Sequence, residues 1–196
     1  MTADEIIRDI LDREGWPTVS NLVSDRGGLT KGGVTFKTYN AWLVSKGNDP
    51  LTEGEFAALS LRDAETFYND AFVLPFEYLN GPSPEEQMVR ITAIDWGVMS
   101  GHAAPVRALQ RSLAALGFDV GRIDGADGMK TLEAWAKAAN AGAAHAVFAK
   151  MSEARIDAHI TSAFDVWVRD FLVRHPESQL HNLHGWMRRA IRIATQ

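Results

Sequence analysis

The chain has 196 residues, enough for one substantial domain or two small ones, and 46% of them are apolar, which excludes a disordered protein. A formal net charge of -5, with basic clusters as short as Arg188-Arg189 and Arg192, speaks against nucleic acid as the main partner. Cysteine is absent, so disulfides, thiol catalysis and cysteine-ligated metals are excluded.

Thr2 to about Arg13 reads as a helix, opened by the capping box Thr2/Glu5 and carrying the apolar stripe Ile6, Ile7, Ile10 and Leu11. Gly15 and Pro17 stop it. Residues 18–34, with Gly27-Gly28 and Gly32-Gly33, are too rich in glycine for a helix and predict a compact loop or a small β-hairpin. Thr35 to Lys46 predicts a short second helix, closed by Gly47 and Pro50. Thr52/Glu55 repeats the capping box and predicts a helix running to about Ala71.

Ser83-Pro84-Glu85-Glu86 is a strong helix start, and that helix is expected to end at Gly101. Pro105 opens the next, with Val106, Leu109, Leu113 and Leu116 at helical spacing before Gly117. Residues 118–128 form a turn-rich connector, followed by helical segments over about 129–140, 143–174 and 180–195. The pattern is that of a mainly α protein with one short irregular or β region near residues 18–34. Its expected division lies at the Gly-Pro pair near position 82, giving parts 1–82 and 83–196. No run approaches the roughly 20 apolar residues of a membrane span, and the acidic, amphipathic start MTADEIIRDILDREG does not read as a signal peptide.

Glu14 is the carboxylate that invites a chemical reading. It is expected at a helix C-terminus, where the dipole disfavours a second negative charge, with Trp16 close enough in sequence to shield it. Both conditions favour the protonated form that a general acid must hold while a glycosidic oxygen leaves. On pattern alone, a solvated glutamate in an acidic helix accounts for it better. Asp25, in Ser24-Asp25-Arg26-Gly27-Gly28, suits the second carboxylate of a glycosidase pair, and equally suits ordinary turn chemistry before glycine.

Other signals are weaker. His181 and His184 are spaced as His-x-x-His but have no adjacent glutamate or third ligand, so no metal is expected. Asp124-Gly125 and Asp127-Gly128 resemble a calcium-loop fragment without its downstream glutamate, and a pair of turns is the better account. The chain carries six tryptophans, most of them at helical apolar positions suited to a core. Trp16 and Trp42 are the two candidates for stacking on sugar rings.

Taken in order, these segments resemble glycoside hydrolase family 108, the muramidase-like group found in phage endolysins and secretion-associated proteins. The resemblance rests on Glu14-Gly15, then Asp25, Gly27-Gly28, Thr30-Lys31 and Gly33-Val34-Thr35, and on the helix Leu61 to Val73 with Tyr68. The second half resembles the predicted peptidoglycan domain often joined to such enzymes. The matching residues there are Asp95 to Gly101, Ala108-Leu109-Gln110, Asp124-Gly125 through Gly128, Thr131-Leu132, and the end from Arg155 through His175-Pro176 to Gly185-Trp186 and Arg188. Three differences stand out: Trp16 replaces a second glycine, the Glu14 to Asp25 spacing is longer, and Met99 stands where asparagine is common.

The resemblance implies a lysozyme-like helical fold. It also implies cleavage of the β-1,4 bond between N-acetylmuramic acid and N-acetylglucosamine, with Glu14 as the acid. Asp25 and Thr30 are then candidates to steady positive charge or hold the attacking water, and Trp16, Trp42 and Gly28 to contact substrate. Peptidoglycan glycan strands are the implied partner, with no cofactor, no metal and no stable membrane insertion, and the chain is expected to be a monomer. As an endolysin it would be made in the bacterial cytoplasm and reach the wall in the periplasm through a holin, a particle or lysis. Two alternatives share these residues: a lytic transglycosylase using the same glutamate, and a non-catalytic peptidoglycan-binding or phage structural module.

Overall fold

In the computed structural model, which describes residues 2–21 and 28–158, helices dominate and a small three-stranded antiparallel sheet is the β component. This is the mainly α, lysozyme-like architecture the sequence predicts. The chain divides into two compact units, Met1–Glu77 and Tyr78–Gln196.

In the first unit, α1 (Ala3–Arg13) starts at the reciprocal Thr2/Glu5 capping box and buries Ile6, Ile7, Ile10 and Leu11. Each such side chain removed from water stabilises the fold by about 1.5–3 kcal/mol. Three two-residue strands follow, β1 (Val19–Ser20), β2 (Thr30–Lys31) and β3 (Val34–Thr35). Val19 pairs with Lys31 and Ser20 with Thr30, while Thr30 pairs with Thr35 and Lys31 with Val34. Gly32 and Gly33 make the turn between β2 and β3, both at positive φ (51° and 78°). A two-residue hairpin turn with both central residues in that region matches strand twist, and glycine adopts it without steric cost.

Thr35 caps α2 (Phe36–Ser45). The single helix expected from Thr52 to about Ala71 is instead three segments. The first, α3 (Glu53–Ala57), stops after one turn. A second capping box, Ser60/Asp63, then opens α4 (Leu61–Tyr68). A π-helical turn at Asn69–Val73 and a 3-10 stretch at Leu74–Leu79 continue the chain. Ser60 draws the chain into an extended conformation and its hydroxyl accepts from Asp63 N, so the box restarts the helix. Tyr39, Phe56, Phe67, Tyr68 and Phe72 interlock as an aromatic core, with ring centroids 5.3–5.8 Å apart.

The second unit is built on α5 (Pro84–Ser100), opened by the Ser83/Glu86 box with Pro84 in its first turn. Buried positions lie all round it, including Val89, Ala93, Ile94 and Trp96, as befits a central helix. It packs against α6 (Ala103–Ala115), which in turn meets α7 (Met129–Asn140). Residues 144–158 form a further helical stretch that buries Ala144, Val147 and Met151. No helix among the described residues is long and apolar enough to cross a membrane.

Candidate active site

Glu14 is the C-cap of α1, and the helix ends there because Gly15 turns left-handed (φ 77°). The Gly15 N–H then donates to Asp12 O (3.2 Å) and the Trp16 N–H to Leu11 O (2.9 Å). This pair of bonds is the Schellman arrangement that satisfies carbonyls at a helix end. The Glu14-Gly15 dipeptide is therefore a structural device that delivers the glutamate to a fixed point.

That point is the glycine turn of the hairpin. A β-carbon at Gly33 would stand 2.6 Å from Glu14 Oε2 and 2.8 Å from Glu14 Cγ. A β-carbon at Gly32 would stand 2.6 Å from Trp16 Cε3. Glu14 and Trp16 thus rest side by side on two consecutive glycines, and nothing larger fits beneath them. Glu14 itself is exposed and Trp16 half-buried, so the indole lies on the turn and does not screen the carboxyl from bulk water.

Two side chains hold the turn from below. The buried Tyr68 hydroxyl donates to Gly32 O at 2.8 Å. Its phenol is pushed far above its ordinary range by burial and then by the Glu14 charge, so it remains a neutral donor. Lys31, only 8% exposed, donates from Nζ to Ala57 O (2.6 Å) and Leu59 O (2.7 Å). Its ammonium also sits 4.8 Å from the centre of the Trp16 ring, a cation–π contact. Sequence reading named neither residue as part of the site. Tyr68 reads as a buried aromatic on a helix, and a lone lysine in a turn-rich stretch carries no signal of burial.

The remaining candidates are placed as follows. Thr30 is on β2, its hydroxyl donating to Gly28 O at 3.0 Å, and Gly28 has positive φ with open space around it. Trp42 joins the aromatic core, tilted on Tyr39 (5.2 Å) and edge-on to Phe67 (5.3 Å), with its Nε1 buried and lacking an acceptor. Asp25, and the His181/His184 pair, lie outside the described residues. Among the described residues no cluster of three or more His, Cys, Asp or Glu side chains is arranged to hold a metal ion.

In the second unit the Asp-Gly turns are filled by internal bonds. Buried Gln110 donates to Ala126 O (2.9 Å), Thr131 Oγ1 (3.1 Å) and Asp124 Oδ1 (3.2 Å), and accepts from Gly125 N (2.9 Å). Asp124 also accepts from Ala126 N, and Asp127 pairs with His102 at 3.2 Å. The turn account of these aspartates is the one the geometry follows.

The arrangement in the first unit sets an exposed carboxyl beside an indole on a rigid glycine turn. Residues 7–101 match the family Glycosyl hydrolase 108, which supports a glycoside hydrolase and runs past the expected division at position 82. No curated protein sequence matches the chain. Among solved structures, the chain shares its fold with one described as the structure of Brucella abortus SagA. The TM-score is 0.61 at 24% identity, covering 88% of this chain and 90% of that one.

Proposed function

We propose that the protein is a peptidoglycan hydrolase of the N-acetylmuramidase type, cleaving the β-1,4 bond between N-acetylmuramic acid and N-acetylglucosamine. The observation that carries this reading is the seat of Glu14, presented to solvent beside Trp16 on the Gly32-Gly33 turn. The match of residues 7–101 to a glycosyl hydrolase family supports it independently.

In this reading Glu14 gives its proton to the leaving glycosidic oxygen as the C1–O bond breaks, and water adds to the muramic C1. The water's proton passes to a base, for which Asp25 is the proposed group, while Thr30 helps to place that water. The Trp16 face, with Gly28, is the proposed sugar-contacting surface, Trp42 being taken up in the aromatic core. Residues 1–82 form the proposed catalytic part, and residues 83–196 are proposed to hold glycan strands. An open cavity of about 270 Å³ in this part is lined by Gln110, Arg122, Asp124, Met129 and Lys130 among others.

Purified sacculi test the proposal. Wild-type protein is expected to release soluble muropeptides and Glu14→Gln to release none while remaining folded by circular dichroism. Wild-type-like release by Glu14→Gln removes the assignment. Mass spectrometry of the products then separates two chemistries that need only one acid: reducing ends mark hydrolysis, and anhydro ends mark attack by the muramic C6 hydroxyl.

A further inference from the structure

Lys31 is an odd residue to bury. An ammonium removed from water normally finds a carboxylate partner, because desolvation is otherwise expensive. Here its hydrogen bonds go to two neutral carbonyls, Ala57 O and Leu59 O, which belong to the end of α3 and the loop before α4. A cation there complements carbonyls left over where the helical segment stops. The ammonium also stands 4.8 Å from the centre of the Trp16 ring, and, after the Ser60 hydrogen bonds, its charge helps to hold the Asp63 carboxyl below its ordinary range.

The backbone of the same residue leads directly into the turn under the site. Gly32 carries the edge of Trp16, and Gly33 carries Glu14. Lys31-Gly32-Gly33 is therefore one short segment holding both side chains, and Lys31 is the anchor that ties it to the α3–α4 junction.

We propose that Lys31 is a positioning residue of the Glu14 site, fixing the Trp16 ring against the glycine turn through its buried ammonium. The inference rests on the reading of Glu14 and Trp16 as acid and sugar platform. A lysine with only a structural role would stabilise the fold without affecting what Trp16 does for catalysis.

The test uses the full chain and four proteins: wild type, Lys31→Met, Trp16→Phe and the double variant. Methionine keeps the unbranched apolar stem, one atom shorter, without charge or donors. The indole N–H resonance of Trp16, identified by its loss in Trp16→Phe, reports the ring's environment whether or not the protein cleaves anything. Lys31→Met is expected to shift that resonance and to lower kcat/KM on sacculi, per folded molecule, about tenfold. In the double variant the two losses are expected to overlap and not multiply, since both remove one arrangement.

An unmoved Trp16 resonance in Lys31→Met, or losses that simply multiply, overturns the proposal. If Lys31→Met does not fold, Lys31→Arg, which retains charge but displaces it with a wider head, is judged on the same two readouts. Wild-type protein inert on sacculi would end the muramidase reading, and the resonance would still decide whether Lys31 sets the position of Trp16.

Discussion

The Glu14 side chain lies directly on the backbone of Gly33, so closely that a β-carbon there would stand 2.6 Å from its Oε2. Gly33 also has φ 78°, a conformation that disfavours any side chain. Gly33→Ala is expected to lose about 1–2 kcal/mol of stability from the backbone alone. It is also expected to push Glu14 from its seat. A misplacement of 1 Å at a reacting group costs roughly a hundredfold in rate, so muropeptide release should fall by about that factor while the helical circular dichroism persists. Unchanged release by folded Gly33→Ala would mean that the contact has no part in catalysis.

All three tyrosines of the chain are pushed above their ordinary range by burial first, with a carboxylate adding to it in each case: Asp63 for Tyr39, Glu14 for Tyr68 and Asp127 for Tyr78. In the unfolded chain these phenols ionise near about pH 10. Above that value the unfolded state has lost protons that the folded state still holds, so stability falls as pH rises and is unaffected below it. For the two deeply buried phenols, Tyr68 and Tyr78, an alkaline titration followed at 295 nm is therefore expected to show tyrosinate appearing together with loss of helical ellipticity. Independent ionisation of either in the still-folded protein would contradict the burial of that phenol.

Helix starts are legible wherever the cap uses the Ser/Thr-x-x-Glu pattern, as at Thr2/Glu5, Thr52/Glu55 and Ser83/Glu86. The break at Ser60 was missed because its partner is Asp63, and because apolar spacing runs through the region without interruption. Glu14's place at a helix end followed from Gly15 and Pro17, whereas its seat could not be read at all. Contact between Glu14 and Gly33, or between Tyr68 and Gly32, joins residues that local pattern does not connect. Gly32-Gly33 signalled a turn but not what would lie upon it.

The stretch running Leu109-Gln110, Asp124-Gly125, Gly128 and Thr131 carried the resemblance to a peptidoglycan domain, and a pattern of that kind can mark either a ligand site or a staple. The geometry makes Gln110 a staple, since both ends of its amide are spent on Asp124, Gly125, Ala126 and Thr131. Gln110→Leu keeps the approximate shape and strands the buried Gly125 N–H and Thr131 hydroxyl, at about 1–3 kcal/mol for each group left buried without a bond. Its urea midpoint is expected to fall accordingly. Sacculus pull-down, measured in the fully folded range, should stay within about twofold of wild type, equivalent to roughly 0.4 kcal/mol. Arg122→Ala, which alters an exposed wall of the neighbouring cavity, should do the reverse, weakening retention with little change in midpoint. Loss of sacculus binding by folded Gln110→Leu would show instead that the amide reads a ligand and that its internal bonds are the resting state of a binding site.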